Sequence, residues 1–150
     1  MAKYSSSGSQ TLTSSIVTAL GITSNTSTVQ RNWIHEFLLA NVGTPADLVT
    51  LHTAQRTTAP GTATTVTATK LDLADRVAQA VVGENHSAEP TYTANEELFE
   101  IPLNNRGTYK WQAAPGMELV LPATSGDGIG FGATHASAVT DWRVGALHSE

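Results

Sequence analysis

"YKWQAAPGMELVLPATSGDGIGFG", residues 109–132, places glycine at 126, 128, 130 and 132. Three readings compete: a phosphate-gripping loop, a flexible linker, and a strand with one face stripped of side chains. A dinucleotide fingerprint needs G-x-G-x-x-G between a strand and a helix, and here its third glycine would fall on Phe131. The P-loop pattern fails as well, because no Gly-Lys-Ser or Gly-Lys-Thr occurs. Read with period two, Gly126, Gly128, Gly130 and Gly132 share one face, and Asp127, Ile129, Phe131 and Ala133 share the other. A bare strand face lets an aromatic ring or another backbone approach closely. The stretch therefore reads as a structural, glycine-faced strand, with Gly126-Asp127-Gly128 suited to a turn. Trp111 and Trp142, on neighbouring predicted strands, are the rings expected to cover it.

Outward from this strand, turn signals recur roughly every ten residues. Val29–Val42 alternates Val29, Trp33, Phe37 and Leu39, together with Arg31 and His35, against Ile34, Leu38, Ala40 and Glu36. Both faces are apolar towards its end, which predicts a strand that is central or shared with a partner. A turn over 43–47, a strand over 48–56, a Pro60-Gly61 turn and a Thr-rich strand over 62–69 follow. The pattern then changes once. Asp72 as N-cap, Leu73, Val77, Ala80 and Val81 at helical spacing and Gly83 beyond them predict one short helix over 72–82. Residues 84–93 read as a polar loop. Strands over 96–103, 108–113, 117–121, 126–134 and 138–148 complete the chain. The expected class is all-β, an antiparallel, jelly-roll-like sandwich of about eight strands with that single helix. Residues 1–14, rich in Ser, Thr and Gly, read as a flexible arm before one domain over 15–150.

Composition narrows the functional classes. A chain of 150 residues can bury roughly 68–70% of its unfolded surface and needs no staple. It has no Cys, a net charge of −5 and only 8 Lys and Arg without a basic run. Phosphate-backbone binding requires clustered cations, so nucleic acid is not an expected partner. No apolar run approaches the ~20 residues that span a bilayer, and the N-terminus lacks the apolar core of a signal peptide. Charged residues make up 14% of the chain, and surfaces poor in charge are common where proteins pack against proteins.

No chemical constellation emerges. His35, His52, His86, His135 and His148 show no metal-ligand spacing. His35 and His52 sit on predicted strands, while His86 and His148 read as exposed. Glu96 and Glu100 share a strand face that reads as solvated rather than as a sugar cleft, and no Gly-x-Ser-x-Gly elbow occurs. No catalytic residue, cofactor or metal is expected.

The run Asn105-Arg106-Gly107-Thr108-Tyr109-Lys110-Trp111-Gln112-Ala113-Ala114-Pro115-Gly116-Met117-Glu118-Leu119-Val120-Leu121-Pro122-Ala123-Thr124 resembles small virion proteins of tailed bacteriophages, the head decoration (cement) proteins. The glycine-rich strand after it, the Leu71-Asp72-x-Ala-Asp segment and the Glu84-Asn85-His86 loop belong to the same likeness. The resemblance implies trimers of sandwich protomers that bind the major capsid protein on the virion surface, assembled in the host cytoplasm. Tyr4, Trp33, His35, Phe37 and Leu39 are the expected interface residues. The alternative is a binding module of a head or tail fibre that recognises a host glycan or protein. Exposure of Trp33, Tyr92 and Trp111 would favour it.

Overall fold

The computed structural model describes residues 1–43, 46–135 and 140–150. They form twelve strands: β1 (Lys3–Thr11), β2 (Val17–Thr23), β3 (Asn32–Asn41), β4 (Val49–Ala59), β5 (Thr62–Val66), β6 (Thr69–Lys70), β7 (Val81–Ala88), β8 (Thr91–Asn104), β9 (Thr108–Gln112), β10 (Leu119–Leu121), β11 (Gly128–Thr134) and β12 (Asp141–Ser149). One antiparallel sheet has the order β10-β3-β12-β1-β6, with β9 also on β3; the other runs β5-β7-β2-β11-β4-β8.

The two sheets face each other across the core. Phe37 of the first sheet meets Phe131 of the second at a ring separation of 5.2 Å. At the far end Trp142 meets His52 edge-on at 4.9 Å. Alternation builds this core: Trp142, Val144, Ala146 and His148 of β12 point in, and Tyr4, Ser6 and Gly8 of β1 lie opposite them. β2 is buried on both faces along its whole length, and β11 nearly so. The glycine-rich strand is thus central, between β2 and β4.

One irregularity resets the parity of β3. β12 pairs Leu147 with Glu36 but His148 with Ile34, so His35 is bulged out of the ladder. A one-residue bulge swaps the face of everything beyond it. Ile34, Phe37 and Leu39 all point into the core, while Trp33 and Leu38 point out. Trp33 and Phe37, expected on a common face, lie on opposite ones.

The helix expected over 72–82 is absent, and no helix occurs among the described residues. The Asp72 carboxylate accepts the Ala74 amide at 2.9 Å, and Asp72 O accepts the Asp75 amide at 3.0 Å, a local turn that the side chain supplies. Further along, the Glu150 carboxylate accepts the amides of Gln79 at 2.8 Å and Ala80 at 2.6 Å. A helix would use those amides internally. Leu73 and Val77 stay 90% and 65% exposed, and of the periodic apolar stripe Ala80 packs against the core, too little burial to hold a helix. A helix this short needs tertiary burial to persist.

Residues 1–14 are not a free arm. β1 pairs with β12 over all nine of its residues, from Lys3↔Ser149 to Thr11↔Asp141, and Tyr4 is fully buried. Residues 84–93, expected as a loop, belong mostly to β7 and β8. Thr44 and Pro45 of the turn expected over 43–47, and Ala138 at the expected start of the last strand, lie outside the described residues.

Candidate functional site

The outer face of the second sheet carries a row of glycines running across three strands. Gly83 of β7 pairs with Gly21 of β2, and Gly21 pairs with Gly130 of β11. With no side chains there, the segment after Gly83 folds back across the sheet, turning at Asn85 and Asn95, which hold φ of 48° and 61°. Asparagine tolerates that left-handed conformation better than most residues.

Two rings from this segment rest on the row. Tyr92 lies over Gly130 and Gly132: a Cβ on Gly130 would stand 2.7 Å from its hydroxyl oxygen and 2.9 Å from Cε1. His86 lies over Gly21 and Gly83, its Nε2 3.3 Å from where a Cβ on Gly21 would be. Thr18 anchors both. Its hydroxyl donates to Glu89 Oε2 at 2.5 Å and lies 2.6 Å from the Tyr92 hydroxyl. With the Thr18 proton given to Glu89, the Tyr92 hydroxyl is the donor in the second bond. Burial, the largest influence, pushes the Tyr92 phenol well above its usual value. The Thr18 carbonyl, which can only accept, takes the His86 Nδ1 hydrogen at 3.0 Å. Nδ1 thus carries the hydrogen in that bond, and the tautomer that keeps it there has its lone pair on Nε2.

The glycine face is covered, but not by the expected rings. Trp142 is fully buried on the core side of the first sheet. Trp111 is half-buried in an aromatic cluster with Phe37 at 5.2 Å and Phe99 at 5.1 Å. Gly128, Gly130 and Gly132 belong to β11, whereas Gly126 precedes it with a φ of 80° and makes the turn. Tyr92 stands in a stretch that reads as loop, so alternation along the sequence does not place it over the glycines.

The histidines divide by burial. His86 and His148, expected as exposed, are 7% and 1% exposed. His148 stacks on Tyr4 at 5.5 Å, and its Nε2 lies 2.9 Å from the Ser6 hydroxyl. Burial holds His148 and His52 down at pKa values of about 4, because a charged imidazolium would lose its hydration there. Neither ring nitrogen of His52 has a hydrogen-bond partner among the described residues.

His35 links two elements on the outer face of the first sheet. Its Nε2 lies 2.7 Å from Ser149 Oγ, and its Nδ1 lies 4.0 Å from Glu118 Oε1. Serine, histidine and carboxylate follow one another here as in a nucleophile–base–orienter chain. Ser149 is completely buried, however, and its hydroxyl also meets Met1 Sδ at 3.1 Å. In this arrangement the chain ties β3 to β12 and presents no nucleophile to a substrate. Two backbone amides, its own and that of Gly116, hold the Glu118 carboxyl below its ordinary range.

Of the expected interface residues, Tyr4, Phe37 and Leu39 are buried in the chain's own core, and Trp33 and His35 lie partly exposed on the outer face. Among the described residues, no three His, Asp or Glu side chains stand where they could share a metal ion. Large apolar side chains remain exposed at both ends of the strands, and also at Leu38 on the outer face of β3 and at Met117 between β9 and β10. Met1, Val29, Leu71, Leu73 and Val77 lie where β1 and β3 begin and β12 ends; Val42, Leu48, Val49 and Leu51 lie at the opposite end. Compared with protein-family models, curated proteins and solved structures, the chain matches none of them.

Proposed function

We propose that this chain is a structural part of a multi-copy protein shell, a virion decoration protein acting on a capsid surface as a homotrimer. Its paired sheets are read as a β-sandwich of jelly-roll type. The resemblance around residues 105–124 supplies the virion and the three-fold. The observation that carries self-association is the placement of the exposed apolar side chains. Most of them lie at opposite poles of the strands, with Leu73 90% and Val77 65% exposed at one pole and Val49 59% exposed at the other, while Leu38 stands mid-strand on β3 and Met117 in the β9–β10 connection. Contiguous apolar patches mark interaction sites. Patches on opposite poles suit a head-to-tail contact, which closes into a ring when its rotation allows.

That geometry has a specific test. Leu73→Glu spoils one pole and Val49→Glu the other, so each variant alone should sediment as a monomer. Mixed, they retain one intact contact and should form a heterodimer and nothing larger. A wild-type chain that sediments as a clean monomer of 15.8 kDa at micromolar concentration rules out a self-sufficient trimer. The capsid role is tested separately by the protein's copy number relative to the main shell protein in purified particles. A fixed, shell-wide ratio is expected; absence from particles, or a handful of copies, overturns the decoration role.

The fibre-type binding module has less support. Trp33 lies partly exposed on the outer face, as that reading requires, but Trp111 packs half-buried against Phe37 and Phe99, and Tyr92 is tied to Thr18 over the glycine row.

A further inference from the structure

Beside the glycine row, the outer face of β5, β7 and β2 forms an open-sided recess of about 170 Å³. Gly21, Gly83 and Ala63 floor it, Pro60 and Gly61 of the β4–β5 turn wall one side, and His86 borders it. His86 is 7% exposed and its Nδ1 is committed to Thr18. Its Nε2 lies above both glycines, without a hydrogen-bond partner among the described residues, and faces the recess.

We propose that this recess binds a small planar ring carrying one N–H or O–H donor, a ligand of the phenol class. Three features of the site carry the assignment. The floor carries no side chain larger than the Ala63 methyl, and Pro60, Val81 and Val82 make the lining mostly apolar, so a flat ring has room to lie beside the His86 ring. The volume suits a single ring, since an apolar protein cavity of about 150 Å³ accepts benzene. His86 Nε2 is an acceptor held in place by the Nδ1 bond to Thr18, and a nearly buried acceptor favours a ligand that brings it a hydrogen. The same row already holds such a pair: Tyr92 rests on Gly130, and its hydroxyl bonds to Thr18. The recess offers the neighbouring position, with His86 in place of Thr18 as acceptor. This site is independent of the assembly proposed above.

The experiment titrates the full-length protein with phenol and, in parallel, with toluene, which has nearly the same shape but no donor. NMR follows the His86 ring nitrogens and the amides of Gly21 and Gly83. Phenol should saturate one site centred on these residues, and toluene should bind about tenfold more weakly, the worth of one hydrogen bond to a buried acceptor. Gly21→Ala, whose Cβ would stand 3.3 Å from Nε2, should weaken phenol by at least about tenfold while the protein remains folded by its amide spectrum. The wild-type comparison needs no variant, so a Gly21→Ala protein that fails to fold leaves the test intact. Absence of a saturable shift with phenol, shifts centred elsewhere, or equal affinity for toluene would each overturn the assignment.

Discussion

Tyr92 occupies the space in which a side chain at Gly130 would stand, and Thr18 holds it there by a 2.6 Å hydrogen bond. Gly130→Ala must displace a ring that is fixed by that bond. A loss of about 1–3 kcal/mol is expected from overpacking. In a Tyr92→Ala background the same substitution should cost much less, so a double-mutant cycle by urea unfolding should show strong coupling. Gly145→Ala is the contrast, because a Cβ there meets nothing within 4 Å. It should be neutral or stabilise by up to about 1 kcal/mol.

The two tryptophans should differ. Trp142 is completely buried, and Trp142→Ala should cost about 3–5 kcal/mol. Trp111 lies half-exposed over Phe37 and Phe99, so Trp111→Ala should cost less, about 1–3 kcal/mol. Equal losses in denaturant midpoints would contradict the placement of Trp111 at the open edge of the core.

Acid should unfold this protein through its buried histidines. His52 and His148 have folded pKa values of about 4, lowered from 6.5, so the unfolded chain binds protons that the folded chain refuses. Stability is then full above about pH 6.5 and falls as pH drops towards 4. Each histidine contributes a loss of up to about 3 kcal/mol over that window. His52→Leu removes a ring whose nitrogens have no hydrogen-bond partner among the described residues. It should leave stability at pH 7 unchanged or raised and remove about half of the acid dependence, as read from melts between pH 4 and 7.

Deleting residues 2–13 should unfold the protein. An arm could be deleted without harm to the body, but β1 lies inside a sheet, between β12 and β6. Deleting it uncovers the edge of β12 and removes Tyr4 and Ser6 from His148. The truncated chain should lack a cooperative thermal transition by circular dichroism. A native-like melt would mean that β12 does not depend on β1.

What was legible in the sequence is the part that local patterning decides. Alternation along 29–42, 48–56 and 126–134 marks strands because one face of each meets the core. The even spacing of Gly128, Gly130 and Gly132 marks a bare face, since close approach needs the missing Cβ. Distant partners decide the rest. Residues 72–82 have a helical stripe, yet Glu150, some seventy positions away, takes the amides of Gln79 and Ala80. The Ser-rich start reads as disordered because its ordering comes from β12. The bulge at His35 leaves no local mark, although it separates Trp33 from Phe37. Tyr92 covers Gly130 from a segment whose polar residues resemble a loop, and only the fold-back at Asn85 brings it there.

The pairing of β1 with β12 also sets an order of events during synthesis. Thr11 and Asp141, which close one end of that ladder, are 130 residues apart in the chain. At elongation rates of about 5–20 residues per second, β1 waits on the order of ten seconds for its partner to be made. Throughout that interval Tyr4 has no His148 to stack on. The nascent strand is kept harmless by its composition, since Ser, Gly and Thr offer little that is sticky. The low-complexity stretch that looks least like structure is the one best suited to wait for it.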